Sequence, residues 1–326
     1  MRALRQKTLG GPADLGLVGD VPVPAPGPGE VLIRVAAAGV NFVDISQSRG
    51  TFAGGPQPPY LAGIEAAGEV VAVADDVTGL EPGAHIIGVG IGGGAFADYA
   101  ALPAAATIPI PAGWADVHAP GLLVSAPTAL AALRPLGQLE AGQTVLIHAA
   151  AGGTGQLAVR MAKHYGATVI AAASPAKHET VRALGADHVI DSCAPGLADA
   201  VMRQTGGAGV DLVLESVGGE TFEESLAAAK RVTGRVVVFG LVAGEASLTN
   251  WDLVYRHQVQ VIGLNIGVLI QRAPQIFGAV MGELFELIAA GVVPPVDPKI
   301  YPLADGPRAL ADLEARATTG RIVLVP

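Results

Sequence analysis

Residues 145–159 read Val-Leu-Ile-His-Ala-Ala-Ala-Gly-Gly-Thr-Gly-Gln-Leu-Ala-Val. An apolar run of strand length enters a turn of small residues that opens a helical pattern, with Ala149, Gly152 and Gly155 spaced as in a dinucleotide-binding turn. Without side chains, the backbone N–H groups of such a turn can approach a diphosphate at the positive end of the helix. The competing role for this segment is a small-residue turn that only permits close helix–strand packing. The next apolar strand, 168–172, leads into Ala173-Ser174-Pro175-Ala176-Lys177-His178. An Asp or Glu here would bind the ribose 2′-hydroxyl of NAD, and none is present. The Ser174 hydroxyl and Lys177 ammonium instead suit a 2′-phosphate, so the expected cofactor is NADPH. The alternative is that Ser174 caps a helix over 176–184 and Lys177 is a solvated first-turn residue.

Other chemistries find little support. The seven histidines include no H-x-x-x-H pair, and His148, at the end of its strand, reads as a satisfied supporting residue, not a base. No G-x-S-x-G elbow surrounds Ser125 or Ser216. The single cysteine, Cys193, can make neither an internal disulfide nor a four-Cys zinc site, and no metal is expected. A formal charge of −9 without a basic block argues against nucleic acid as a partner. The longest uncharged stretch, 141–159, is broken by polar residues and glycines, so no membrane span is expected. The first residues carry no apolar leader, which points to the cytoplasm.

These residues need elements to hold them. A length of 326 residues suggests two domains. Short apolar runs at 30–38, 69–74, 85–89 and 96–101, each bounded by Gly, Pro or Asp, predict a β-rich first third. From 144 to 263, strand-length apolar runs alternate with helical stretches, which implies right-handed crossovers and a doubly wound parallel sheet. The spacing of Ile276, Val280, Leu284 and Leu287 predicts an amphipathic helix over 275–290, with Ile276, Val280 and Leu284 in the core. A last strand at 322–325 has no crossover after it and returns to the β-rich domain. The expected division is 1–122, 123–263 and 264–326, the last belonging with the first.

Gly39-Val40-Asn41-Phe42-Val43-Asp44, Gly63-Ile64-Glu65-Ala66-Ala67-Gly68, the A-x-x-G-x-x-G turn, Leu184-Gly185-Ala186-Asp187-His188-Val189-Ile190 and Gly320-Arg321-Ile322-Val323-Leu324 together resemble the medium-chain dehydrogenase/reductase superfamily. Within it they are similar to the zinc-independent quinone oxidoreductase, or zeta-crystallin-like, branch. The resemblance spans essentially the whole chain. It implies an α/β fold in which a Rossmann domain is flanked by the two parts of a GroES-like domain, with NADPH bound and a homodimer formed through the edges of the Rossmann sheets. Zinc-dependent relatives carry Cys and His ligands near Val40-Asn41 and at Ile64; neither is present, which disfavours alcohol oxidation.

Carried over by position, the resemblance puts Asn41 beside nicotinamide and substrate and Thr128 near the nicotinamide. It gives Gly152, Gly153, Thr154 and Gly155 to the diphosphate and Ser174 and Lys177 to the 2′-phosphate. Ser216, Val217, Phe239, Gly240 and Leu241 would line the cofactor cleft. Asn265 and Arg316 would contact the nicotinamide end and the phosphates, or else serve as a turn residue and an exposed helix charge. Two positions depart from the family pattern: Ser46 and Ser192 stand where many members have Tyr. The implied activity is NADPH-dependent hydride transfer to a quinone or conjugated enone, with Asn41 polarising or positioning the carbonyl and the proton coming from solvent or Ser46. Its rivals are an enoyl-thioester reductase of polyketide or fatty-acid assembly and a non-catalytic NADPH-binding protein.

Overall fold

The strand Glu30–Val40 is the spine of the β-rich part of the chain. Val31, Ile33 and Val35 alternate along it and point into one buried cluster, as period-two patterning requires. One edge pairs antiparallel with Glu65–Val73; the other pairs with Tyr99–Pro103 over its first half and with Ile322–Val325 over its second. The sheet order runs Lys299–Pro302, Ile322–Val325, Glu30–Val40, Glu65–Val73, His85–Val89, Thr107–Pro109. A small second sheet joins Leu15–Val18, Ala3–Gln6 and Tyr60–Leu61.

The computed structural model describes residues 1–90 and 92–326. Their contacts divide the chain into two units, Met1–Leu123 with Pro295–Pro326, and Val124–Pro294. Among the described residues of the second unit, six parallel strands lie in the order His188–Asp191, Thr168–Ala173, Thr144–Ile147, Leu212–Glu215, Arg235–Val238, Gln260–Gly263. This is the doubly wound order. The strand sequence reverses between Thr144–Ile147 and Leu212–Glu215, and ligands of such sheets bind at the carboxyl ends flanking that point.

The return to the first unit comes at Pro295, which corrects the expected boundary at 264. The helix Pro274–Ala289 buries Val280, Met281, Leu284 and Leu287 within the second unit. Full burial of each such side chain is worth about 1.5–3 kcal/mol, and this decides the helix's partner. Glu283 Oε1 accepts from Arg134 Nε at 3.3 Å and from the Tyr165 hydroxyl at 2.7 Å. Ile276, expected in the core, is 40% exposed in the first turn. No helix among the described residues is long and apolar enough to cross a membrane.

Candidate functional site

In the parallel-sheet unit, the strand Thr144–Ile147 ends in a turn where Ala149 has φ 46, a left-handed conformation uncommon for a residue with a β-carbon. Gly152 N–H donates to the Ala149 carbonyl at 2.8 Å and closes the turn. The helix Gly153–His164 starts there with no side-chain cap and no acidic residue in its first turn. Its leading N–H groups are therefore not met by a capping side chain, and the first turn itself supplies no counter-charge to the positive end of the helix dipole. At Gly155 a β-carbon would stand 2.3 Å from the Ala149 carbonyl oxygen, so bulk cannot enter the turn from that side. This cradle fits a diphosphate.

Ser174 follows the next strand at the N-cap position of the short turn Pro175–Lys177, yet its side chain makes no capping bond. Across the reversal point, Ser216, Val217 and Gly218 follow the strand Leu212–Glu215, and Phe239, Gly240 and Leu241 follow Arg235–Val238. A β-carbon on Gly240 would meet the Ser216 carbonyl oxygen at 2.4 Å, so these two strand ends abut. The structure thus gathers Gly152–Gly155, Ser216–Val217 and Phe239–Leu241 at the carboxyl ends of neighbouring strands, with Ser174 and Lys177 at the end of the strand beyond. Thr128 donates its hydroxyl to the Val124 carbonyl at 2.6 Å in the first helix of this unit. Asn265 caps the helix Ile266–Arg272, its Oδ1 accepting from Val268 N–H at 3.2 Å. Arg316 belongs to the other unit, exposed and at φ 56 just past the helix Gly306–Glu314.

Behind the cradle lies a buried polar cluster whose Glu215 and Ser225 the sequence reading did not single out. Glu215, fully buried, accepts from Val217 N–H, from Gly218 N–H at 3.0 Å, and from the Ser225 hydroxyl. His148 Nε2 lies 2.9 Å from Ser225 Oγ and 3.7 Å from Glu215 Oε2. Burial pulls His148 below the usual imidazole range against the opposing charge of Glu215. The cluster ties the residue before Ala149 to the residue before Ser216, so it joins the two loops at the reversal point. The signal in the sequence was Glu215 itself, one carboxylate closing an otherwise apolar strand.

In the β-rich unit, Asn41 follows the spine strand and is the N-cap of the helix Phe42–Ser48. Asp44 Oδ2 accepts from Asn41 N–H at 2.7 Å. Asn41 Nδ2 donates to Glu65 Oε2 at 3.2 Å and to the Gly39 carbonyl at 3.3 Å. Glu65 Oε1 accepts from Gly121 N–H at 2.9 Å. Burial raises the Glu65 carboxyl above its ordinary range, while Gly121, Asn41 and Arg321 act against it. Burial, with the charge of Glu65 adding to it, pushes Asp44 up to about 8, and its Oδ1 has no hydrogen-bond partner among the described residues. Burial and then the charge of Asp44 push the half-buried Tyr60 phenol up to about 12. Ser46 turns its hydroxyl to the Phe42 carbonyl at 3.3 Å, one helical turn back. Asp44 and Glu65 belong to the segments 39–44 and 63–68, whose sequence alone assigns them no role.

Two family models match this chain: an alcohol dehydrogenase GroES-like domain over residues 27–112 and a zinc-binding dehydrogenase domain over residues 153–283. A 2-haloacrylate reductase from Burkholderia sp is 34% identical over 323 residues, covering 94% of both chains. The chain belongs to the medium-chain dehydrogenase/reductase superfamily, in its quinone oxidoreductase branch. The Escherichia coli quinone oxidoreductase solved in complex with NADPH superposes with a TM-score of 0.92 at 30% identity, over 100% of each chain. Erythronolide synthase EryA2 of Saccharopolyspora erythraea is 36% identical over 299 residues, 91% of this chain but only 8% of that much longer protein.

Proposed function

We propose that the chain is an NADPH-dependent reductase of conjugated carbonyl compounds, quinones or enones. The observation that carries this reading is the uncapped glycine turn at the sheet's reversal point, followed one strand later by Ser174 and Lys177 where a carboxylate would select NAD. Bound NADPH supplies a hydride from its nicotinamide ring.

The chain's own residues bind and orient. The N–H groups at the start of the helix Gly153–His164 hold the diphosphate. Ser174 donates to the 2′-phosphate, and Lys177 adds a charge-assisted bond. Asn41 positions the nicotinamide end. An enone gains the hydride at its β-carbon and a proton at its α-carbon, becoming a saturated ketone; a quinone gains the same two electrons with two protons. The proton comes from solvent or from Ser46, whose bond to Phe42 O is long. With Asn41 and Ile64 at the positions of the zinc ligands of metal-dependent relatives, no zinc takes part.

A second substrate class, enoyl thioesters reduced by the same step, is supported by the likeness to the CurK enoyl reductase, which is 28% identical with a TM-score of 0.88. NADPH consumption over a panel of quinones, enones and crotonyl thioesters separates the two, and inactivity on all three defeats both. We further propose a homodimer through the edge strand Gln260–Gly263, beside which Trp251, Val254 and Tyr255 are exposed. A monomer in sedimentation experiments would exclude it.

A further inference from the structure

We propose that Glu65 sets the hydrogen-bonding polarity of Asn41, leaving that side chain an acceptor for a donor group of the bound nicotinamide nucleotide instead of a donor to the substrate carbonyl. The inference rests on the NADPH reading above and deepens it.

The arrangement begins in the sheet. Gly39 on the spine strand is the register partner of Glu65 on its neighbour. A β-carbon on Gly39 would stand 2.5 Å from Glu65 Oε2, so the bare position is what allows the carboxylate to lie across the strand and reach Asn41. The carboxylate is fully buried and anchored at its other oxygen by Gly121 N–H. Arg321 in turn holds the loop that carries Gly121, donating from Nη1 to the His118 and Pro120 carbonyls, each at 2.8 Å.

An asparagine amide has two hydrogens and one oxygen. Both hydrogens of Asn41 are engaged, one by Glu65 Oε2 and one by the Gly39 carbonyl, and its backbone N–H is taken by Asp44. Turning the amide over would set its oxygen against a carboxylate and a carbonyl with no hydrogen among them, a costly buried arrangement. What Asn41 has left to offer is an acceptor. A ribose hydroxyl or the carboxamide NH2 of the nicotinamide nucleotide is a donor that fits it; the carbonyl oxygen of a quinone or enone is not.

The polarity can be reversed with isosteric substitutions, using the full chain, NADPH and an acceptor from the active panel. In E65Q the new amide still serves Gly121 through its oxygen and presents NH2 to Asn41. This turns the Asn41 oxygen inward, and KM for NADPH rises about tenfold, the worth of one hydrogen bond. Adenosine 2′,5′-bisphosphate, which lacks the nicotinamide half, should bind E65Q as it binds wild type. The double variant N41D/E65Q restores an outward acceptor, because the new amide donates to the new carboxylate, and it recovers most of the loss. An E65Q variant with wild-type KM, a double variant no better than E65Q, or an equal loss for the bisphosphate would overturn the proposal.

Should E65Q not fold, N41D alone decides. Its carboxyl faces Glu65, with Asp44 the other buried acid and Arg321 the cation acting on Glu65, so the pair must share a proton. While it does, the outward oxygen of the new carboxyl is still an acceptor, so KM for NADPH stays near wild type, and KM for the quinone or enone does not rise because no donor to it is lost. An N41D variant whose KM for NADPH is raised about tenfold at a pH where the pair holds its proton overturns the proposal. Wild type that does not bind NADPH at all would remove the reductase reading itself, an outcome distinct from any of these.

Discussion

Gly155 packs against Ala149 so closely that an added β-carbon would stand 2.3 Å from the Ala149 carbonyl oxygen and 2.7 Å from Ala150 Cα. Both neighbours are backbone and cannot swing aside. Gly155→Ala should therefore open the phosphate turn, costing about 2 kcal/mol of stability and at least about tenfold in NADPH affinity. Thermal melts and fluorescence titration with NADPH check this; an unchanged affinity would mean that the turn does not hold the diphosphate.

The pair Ser174 and Lys177 should act on one phosphate only. Removing both, as Ser174→Ala with Lys177→Ala, should weaken NADPH by about 10- to 100-fold, two bonds to a charged group, and leave NADH almost untouched. Equal losses for the two nucleotides would show that these residues support the turn Pro175–Lys177 instead.

The turn and the selectivity residues were legible because their information is local: a strand, five small residues and a helix follow one another in the chain, and the 2′-phosphate residues come one strand later. Glu65 could not be read this way. Its reach to Asn41 depends on the register that sets it beside Gly39, a pairing between residues 26 positions apart. The same holds for His148 and Glu215, which meet only because the strands ending at them are neighbours in the sheet. The strand alternation correctly implied the doubly wound sheet. The boundary at 264 failed because the helix Pro274–Ala289 is amphipathic in sequence whichever unit it joins, and only tertiary packing chooses.

Glu215→Ala should cost stability more than activity on the folded fraction. It strips acceptors from the buried Val217 and Gly218 N–H groups and from Ser225, worth about 3 kcal/mol together. Urea denaturation reads the loss directly; a shift below about 1 kcal/mol would mean that water or a neighbour replaces the carboxylate.

Asp44 should make stability depend on pH. Its folded value, about 8, lies above its ordinary 3.8, so the folded state binds the proton more tightly. The contribution is fully present below about pH 4 and is lost as pH rises through about 8. Asp44→Asn keeps an acceptor for the Asn41 N–H and should flatten the fall in melting temperature over that window. An identical slope in the variant would assign the dependence to other groups.

The most direct test of the reductase account follows the transferred atom. NADPH deuterated at nicotinamide C4 is incubated with the purified chain and a conjugated enone, and the product is analysed by mass spectrometry and NMR. The account predicts a saturated ketone with one deuterium at the β-carbon, formed from only one of the two C4 epimers of the labelled cofactor. Saturated product without deuterium from either epimer, or no reduction of any quinone, enone or enoyl thioester, would contradict it.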